Sequence, residues 1–166
     1  TYNYRGQVKH QWLPFFAPVS DDYTAPPSDQ PYATFDYDPI GRLVRTINPA
    51  GTQRTSTYDD WTVINVDENG HRTDYTNDTY GRLVVVKEYN KGEVYTTQYV
   101  YNAQDNLKMT IDNAGNTTSI SYDSLGRKGI MRDPDMGIWY YEYDVAGNLI
   151  GQTDAKGQTI EFRYDE

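Results

Sequence analysis

Tyrosine followed by Asp, or once by Asn, returns along this chain at a nearly constant interval. Tyr37, Tyr58, Tyr101, Tyr122, Tyr143 and Tyr164 follow one another at spacings of 21, 43, 21, 21 and 21 residues. A period of that length calls for an architecture assembled from small like units, each contacting mainly its neighbours. The double interval holds one degenerate copy, in which Asn77-Asp78 stands for Tyr-Asp and the Asp-x-x-Gly-Arg-Leu of YDPIGRL recurs as DTYGRL. YNYRGQV, at 2–8, is a further copy.

Each repeat has two points of turn chemistry. The first is Tyr-Asp-x-x-Gly-Arg/Asn-Leu, with Asp38 and Gly41, Asp144 and Gly147, and the matching Gly81 and Gly126. The Asp bonds backbone N–H groups ahead of it, and the Gly takes a positive φ cheaply. The second is another glycine about 14 residues after the Tyr, preceded in NPAG, DENG, DNAG and DAKG by Asn or Asp three positions earlier. Two turns in 21 residues leave room for two strands of roughly 5–7 residues. The alternation agrees: Leu107, Met109 and Ile111 share one face, as do Ile160, Phe162 and Tyr164, and Trp139, Tyr141 and Tyr143. The predicted fold is all-β, a tandem antiparallel β-hairpin array in one curved, twisted sheet over 32–166. The repeat tyrosines close the apolar stripe, and losing Tyr122 or Tyr143 is expected to cost roughly 3–5 kcal/mol, as for a buried aromatic.

Three places break the pattern. Thr62 stands where YDDWTVI should have its turn Gly, which implies a bulged or differently closed hairpin. Asp105 replaces the Gly of YNAQDNL, and Asp tolerates the left-handed region at some cost. The repeat after Asn77 is three residues longer, which suggests a wider loop around Lys91-Gly92. Residues 9–36 hold five of the eight prolines and no trustworthy alternation. The chain thus divides into a partial repeat at 1–8, a Pro- and aromatic-rich irregular insertion at 9–36, and tandem repeats at 37–166. Trp12, Phe15 and Phe16 are expected to cover an open sheet edge.

Chemistry is sparse. The net charge of −9 disfavours nucleic acid and anionic membranes. Cysteine is absent, so thiolate chemistry and disulfides are excluded. No apolar run reaches about 18 residues. His10 and His71 lie far apart in the repeat register, and no nucleophile–His–acid pattern or metal-ligand spacing emerges. NVDENG resembles the first half of a calcium loop but has Thr76 at the twelfth position. The repeated aspartates read as turn-makers, since a catalytic pair would be singular; Asp38-Pro39 reads the same way, with no cleavage expected there. No metal, cofactor or enzymatic activity is expected. Carbohydrate is the rival partner: Trp61, Trp139 and above all Tyr140, which opposes the apolar set, are candidates for stacking on sugar rings.

The Tyr-Asp-x-x-Gly-Arg/Asn-Leu units resemble YD repeats, also called RHS repeats, over about 135 residues and the stub at 2–8. Such repeats occur in polymorphic bacterial toxins, in the B and C components of insecticidal Tc toxin complexes and in teneurins. GQVKHQWLPFFA (6–17) and DPDMGIWYYEYDVAGNLIGQTDAKGQT (133–159) resemble the Tc B-component and SpvB-like group more narrowly. The resemblance implies a strip of wall from a larger hollow β-shell, which in the toxin relatives encloses a C-terminal toxic segment. It implies a secreted or cell-surface parent, with other repeats and domains of that parent as partners. Exposed sheet edges add self-association as an expectation, with glycans as the alternative partner.

Overall fold

The computed structural model describes residues 1–17 and 22–165. Its strands are His10–Trp12 (β1), Tyr32–Tyr37 (β2), Leu43–Ile47 (β3), Gln53–Asp59 (β4), Thr62–Val66 (β5), Arg72–Asn77 (β6) and Leu83–Asn90 (β7). Glu93–Tyr101 (β8), Leu107–Ile111 (β9), Thr117–Tyr122 (β10), Lys128–Asp133 (β11), Gly137–Tyr143 (β12), Leu149–Thr153 (β13) and Thr159–Glu161 (β14) complete them. They form one open antiparallel 14-stranded sheet, in which every strand lies beside the strands that precede and follow it in sequence. Two compact blocks are distinguishable: Thr1–Tyr75 with Glu88–Gly92, and Thr76–Lys87 with Glu93–Glu166.

The two turn motifs, which look different in sequence, have one backbone geometry. It begins at Asn3, Asp38, Asn48, Asp67, Asp78, Asn102, Asp112, Asp123, Asp144 and Asp154. In each, the Asx N–H donates to the carbonyl four residues on, and the N–H of the residue three on donates back to the Asx carbonyl. The Asx side chain locks the loop. Asp123 Oδ1, for instance, accepts from the N–H groups of Leu125 at 2.9 Å and Arg127 at 3.0 Å. The residue three after the Asx has a positive φ: Gly41 93°, Gly126 77° and, without glycine, Asp105 63°. Asp105 thus takes the left-handed conformation expected of it.

The remaining hairpins are closed differently. At Thr62 there is no bulge: Asp59 pairs with Thr62 across a two-residue loop, and Asp60 takes the positive φ, 46°. The wide loop expected around Lys91-Gly92 is instead a two-residue turn with both residues at positive φ, 48° and 91°. That is the pattern of a type I′ hairpin. The extra residues lengthen the strands, to eight in β7 and nine in β8. The irregular insertion is also shorter than 9–36. His10–Trp12 forms a strand too brief for alternation to reveal, and β2 begins at Tyr32. Within this insertion, residues 18–21 lie outside the described residues.

The sheet has no core in the usual sense. Among the described residues no hydrophobic side chain is buried, and Asp74, 7% exposed, is the only buried polar one. The apolar stripe is real but half-covered: Leu107, Met109 and Ile111 are intermediate, while Ile160 on β14 is 54% exposed. A single layer has no second sheet against which to bury its apolar face. Trp12 meets His10 in a T-shaped contact and Tyr32 in a tilted one, with ring centroids 5.9 and 5.6 Å away, where β1 covers the edge of β2. Phe16 takes no part and is fully exposed.

Candidate functional site

What recurs in this molecule is a junction between successive repeats. The hydroxyl of each repeat tyrosine donates to a backbone carbonyl in the repeat before it. Tyr58 reaches Leu43 O at 3.2 Å, Tyr101 reaches Leu83 O at 2.9 Å, and Tyr122 reaches Leu107 O at 2.7 Å. Tyr143 reaches Lys128 O at 3.0 Å and Tyr164 reaches Leu149 O at 2.9 Å. Tyr37 does the same to Val8 O at 2.9 Å, which ties the partial repeat at 2–8 into the series.

For every one of these tyrosines but Tyr37 the acceptor is the first strand residue after the turn, and the ladder explains why in most of these hairpins. Tyr37 pairs with Leu43 but Asp36 with Arg45, so Val44 is an extra residue. Lys108, Gly129 and Ile150 are extra at the corresponding shifts. Such a bulge interrupts the ladder and leaves backbone groups in need of partners. The next tyrosine supplies a donor.

The residue after the turn Gly completes the junction. The Arg42 guanidinium bonds Asp38 Oδ2 at 2.6 Å and lies 4.1 Å from the centroid of the Tyr58 ring. Arg82 joins Asp78 to Tyr101 in the same way, at 2.6 Å and 5.0 Å. Arg127 joins Asp123 to Tyr143, at 2.7 Å and 4.9 Å. Where Asn replaces Arg, only the inner half survives: Asn148 Nδ2 donates to Asp144 Oδ2 at 2.9 Å. His71 fills the same place beside Asp67, with Nδ1 3.1 Å from Oδ2. Arg, Asn and His are interchangeable here because each brings an N–H donor to the Asx oxygen.

These donors hold the turn carboxyls below their usual range. At Asp123 the largest cause is the Arg127 backbone N–H, then its side chain. At Asp144 it is the Asn148 side chain, and at Asp67 the His71 backbone N–H. At Asp38 desolvation is the largest single influence and pushes upward, but the Arg42 side-chain and backbone bonds together outweigh it.

A second cluster has no counterpart elsewhere among the described residues. Asp74 accepts both Nε and Nη2 of Arg72, at 2.7 and 2.8 Å, and the Tyr89 hydroxyl at 2.9 Å. The guanidinium lies 4.6 Å from the Tyr89 ring centroid. The Asp74 bond is the largest cause of a raised Tyr89 hydroxyl pKa. Sequence reading missed this cluster, because Tyr89 lies 15 residues from Asp74 in a repeat of altered length.

The structure gathers the repeat residues Tyr37, Asp38, Gly41, Tyr58, Gly81, Tyr101, Tyr122, Gly126, Tyr143, Asp144, Gly147 and Tyr164 at turns and junctions. Of the sugar-stacking candidates, Trp61 lies in the first block and Trp139 and Tyr140 in the second. Tyr140 is 47% exposed, and Trp61 is 56% exposed at a hairpin tip. Trp139 is half-buried, donates its indole N–H to Met136 O at 3.2 Å, and lines a shallow groove with Asp154 and Lys156. Among the described residues no group of three or more His, Cys, Asp or Glu could hold a metal ion.

The RHS Repeat family profile matches residues 143–166. Comparison with curated proteins finds no match. The fold is similar to that in the crystal structure of TcdB2-TccC3-Cdc42: TM-score 0.81, 21% identity, over 99% of this chain and 9% of that one. TcdB2-TccC3 without its hypervariable C-terminal region gives 0.79 at 19% identity, again over 99% of this chain and 9% of that one. A Photorhabdus luminescens Tc holotoxin pore carrying a TccC3 mutation gives 0.69 at 19% identity, over 81% of this chain and 8% of that one. The chain therefore spans under a tenth of the length of each. Residues 143–166 match the RHS Repeat profile, and over nearly its whole length the chain has the fold of a part of TcdB2-TccC3.

Proposed function

We propose that this RHS-type hairpin array is a non-enzymatic wall segment of a larger secreted or cell-surface protein, and that the wall encloses a toxin-like C-terminal cargo. The observation that carries the reading is the junction. Each repeat that opens on a tyrosine is fastened to its predecessor by the tyrosine hydroxyl, while no apolar side chain among the described residues is buried. Such a unit extends indefinitely by addition and has no centre of its own. The likeness to TcdB2-TccC3, over a small fraction of a long chain, supports a place within a larger assembly. The open strands β1 and β14 are where further hairpins, or a second chain, would pair.

The test is protease protection in the full-length parent. The segment downstream of the repeats should survive digestion while the wall is intact. It should become cleavable when Tyr101, Tyr122 and Tyr143 are together changed to Phe. A downstream segment digested at the same rate in both proteins contradicts enclosure.

One observation favours a second reading, glycan binding. Tyr140 lies on the face opposite Trp139 and Tyr141 and is 47% exposed between Ile130 and Thr153 of the flanking strands. An exposed phenol ring can stack on a sugar. Specific glycan-array binding that Tyr140→Ala abolishes would place this reading first.

A further inference from the structure

One hairpin tip carries a dipeptide found nowhere else in the chain. Of all the asparagines, Asn69 alone is followed by glycine. The pair lies on the turn that joins β5 to β6, and both residues are exposed. An asparagine side chain is open to attack by the backbone nitrogen of the residue after it, and a side chain on that residue stands in the way. Gly70 has none. Nothing lies within 4 Å of the place where its Cβ would sit.

The other asparagines are shielded, and several are also held. Asn48 precedes Pro49, whose nitrogen has no proton to lose. Asn102 Oδ1 accepts the N–H groups of Gln104 and Asn106, at 2.9 and 3.0 Å. Asn116 and Asn148 donate Nδ2 to Asp112 and Asp144, at 2.8 and 2.9 Å. Among the described residues the Asn69 side chain has no such partner. At this tip the locking oxygen is Asp67 Oδ1, which accepts the N–H groups of Asn69 and His71 at 2.9 and 2.8 Å. One bond opposes the attack. Gly70 N–H donates to Asp67 O at 3.1 Å, so the turn must open before its nitrogen can react.

We propose that Asn69 is a self-modification site, converted through a succinimide to aspartate or isoaspartate, and that the isoaspartate form loosens the β5–β6 hairpin. Once Gly70 N–H leaves Asp67 O and gives its proton to solvent, the nitrogen bonds to Asn69 Cγ. The Cγ–Nδ2 bond breaks, and the leaving nitrogen takes a proton from solvent and departs as ammonia. Water then opens the five-membered ring at either carbonyl. Nothing is oxidised or reduced: one water is consumed and one ammonia is released. Opening at the backbone carbonyl routes the chain through the side chain. That lengthens the path from Asp67 to Gly70 by one carbon, about 1.5 Å. The bonds of Gly70 N to Asp67 O and of His71 N to Asp67 Oδ1 cannot both keep their lengths across such an insertion. Either product also adds a carboxylate beside Asp67 and Glu68, at a tip that Arg54 reaches only loosely, 3.9 Å from Glu68. This chemistry belongs to the tip alone and is independent of what the array encloses.

The purified chain, aged at mildly alkaline pH, should gain the mass difference between an amide NH2 and an OH. Peptide mapping should place the change at Asn69 before any other asparagine, and isoaspartyl methyltransferase should label it there. Hydrogen exchange on the aged chain should be faster in β5 and β6, with β10–β13 unchanged. Asn69→Gln, at an exposed position whose side chain the turn does not use, should abolish both the early labelling and the loosening. Asp67→Ala removes the locking oxygen and should raise the rate at Asn69 several-fold, because the turn opens more often. An earlier site elsewhere, a hairpin that exchanges alike before and after ageing, or an Asp67→Ala rate equal to the parent's would overturn the proposal.

Discussion

At the scale of single residues, the tyrosine hydroxyl matters as much as the ring. Tyr122 and Tyr143 are half-buried, so ring removal should cost less than the 3–5 kcal/mol of a buried aromatic. About 1–3 kcal/mol is expected for Tyr122→Ala from the smaller area withdrawn from water. Tyr122→Phe keeps the ring and removes only the donor to Leu107 O, and should cost about 0.5–1.5 kcal/mol. Urea unfolding of the two variants checks the split; a Phe variant as stable as the parent would reduce the hydroxyl bond to decoration. The aspartates carry a pH dependence. Asp38, Asp67, Asp78, Asp112, Asp123 and Asp144 have folded pKa values below the 3.8 expected of a free carboxyl. The unfolded chain therefore binds protons first. The stability these groups contribute is complete above pH 3.8 and is lost as pH falls through the lowered folded values. Melting temperature followed downward from neutral pH should be flat with respect to these groups until about pH 4 and then fall. The turn role of these aspartates was legible in the sequence, because an Asx–Gly spacing is local. The tyrosine and arginine roles were not, because their partners lie in the neighbouring repeat, and only the constant phase of Tyr hinted at them.

At the scale of the hairpin, the turn decides register. The glycine at Gly147 has a φ of 92° and open space around its Cα, so Gly147→Ala should cost only the backbone strain, about 1–2 kcal/mol. Gly137 has a φ of 76° and in addition faces Ala155: a Cβ would sit 2.5 Å from the Ala155 Cβ. Gly137→Ala should therefore be the more damaging of the two by at least about 1 kcal/mol, since the neighbouring turn must move. Equal midpoints in urea would show that these turns yield more freely than their geometry implies. Strand number and turn position were readable from the repeat, but the closure of irregular hairpins was not. Lys91-Gly92 looked like a longer loop because the repeat was longer. The extra residues instead extended both strands, where the ladder satisfies their backbone groups. The brief β1 escaped for a related reason: three residues are too few to alternate, and only pairing with β2 makes them a strand.

At the scale of the whole molecule, stability is passed from hairpin to neighbouring hairpin, with no buried hydrophobic core among the described residues. The repeat made the array legible, and the apolar alternation located its stripe. The sequence overstated the depth of burial, because alternation reports which face is apolar and says nothing of what covers it. Here nothing among the described residues buries a hydrophobic side chain fully. Native-state hydrogen exchange on Tyr122→Phe tests the claim most directly. The account predicts faster exchange confined to β9, β10 and β11, the strands that the Tyr122 junction fastens, with the β2–β5 amides unchanged. Uniform acceleration across every strand would contradict it, since that is how a domain with a single cooperative core responds.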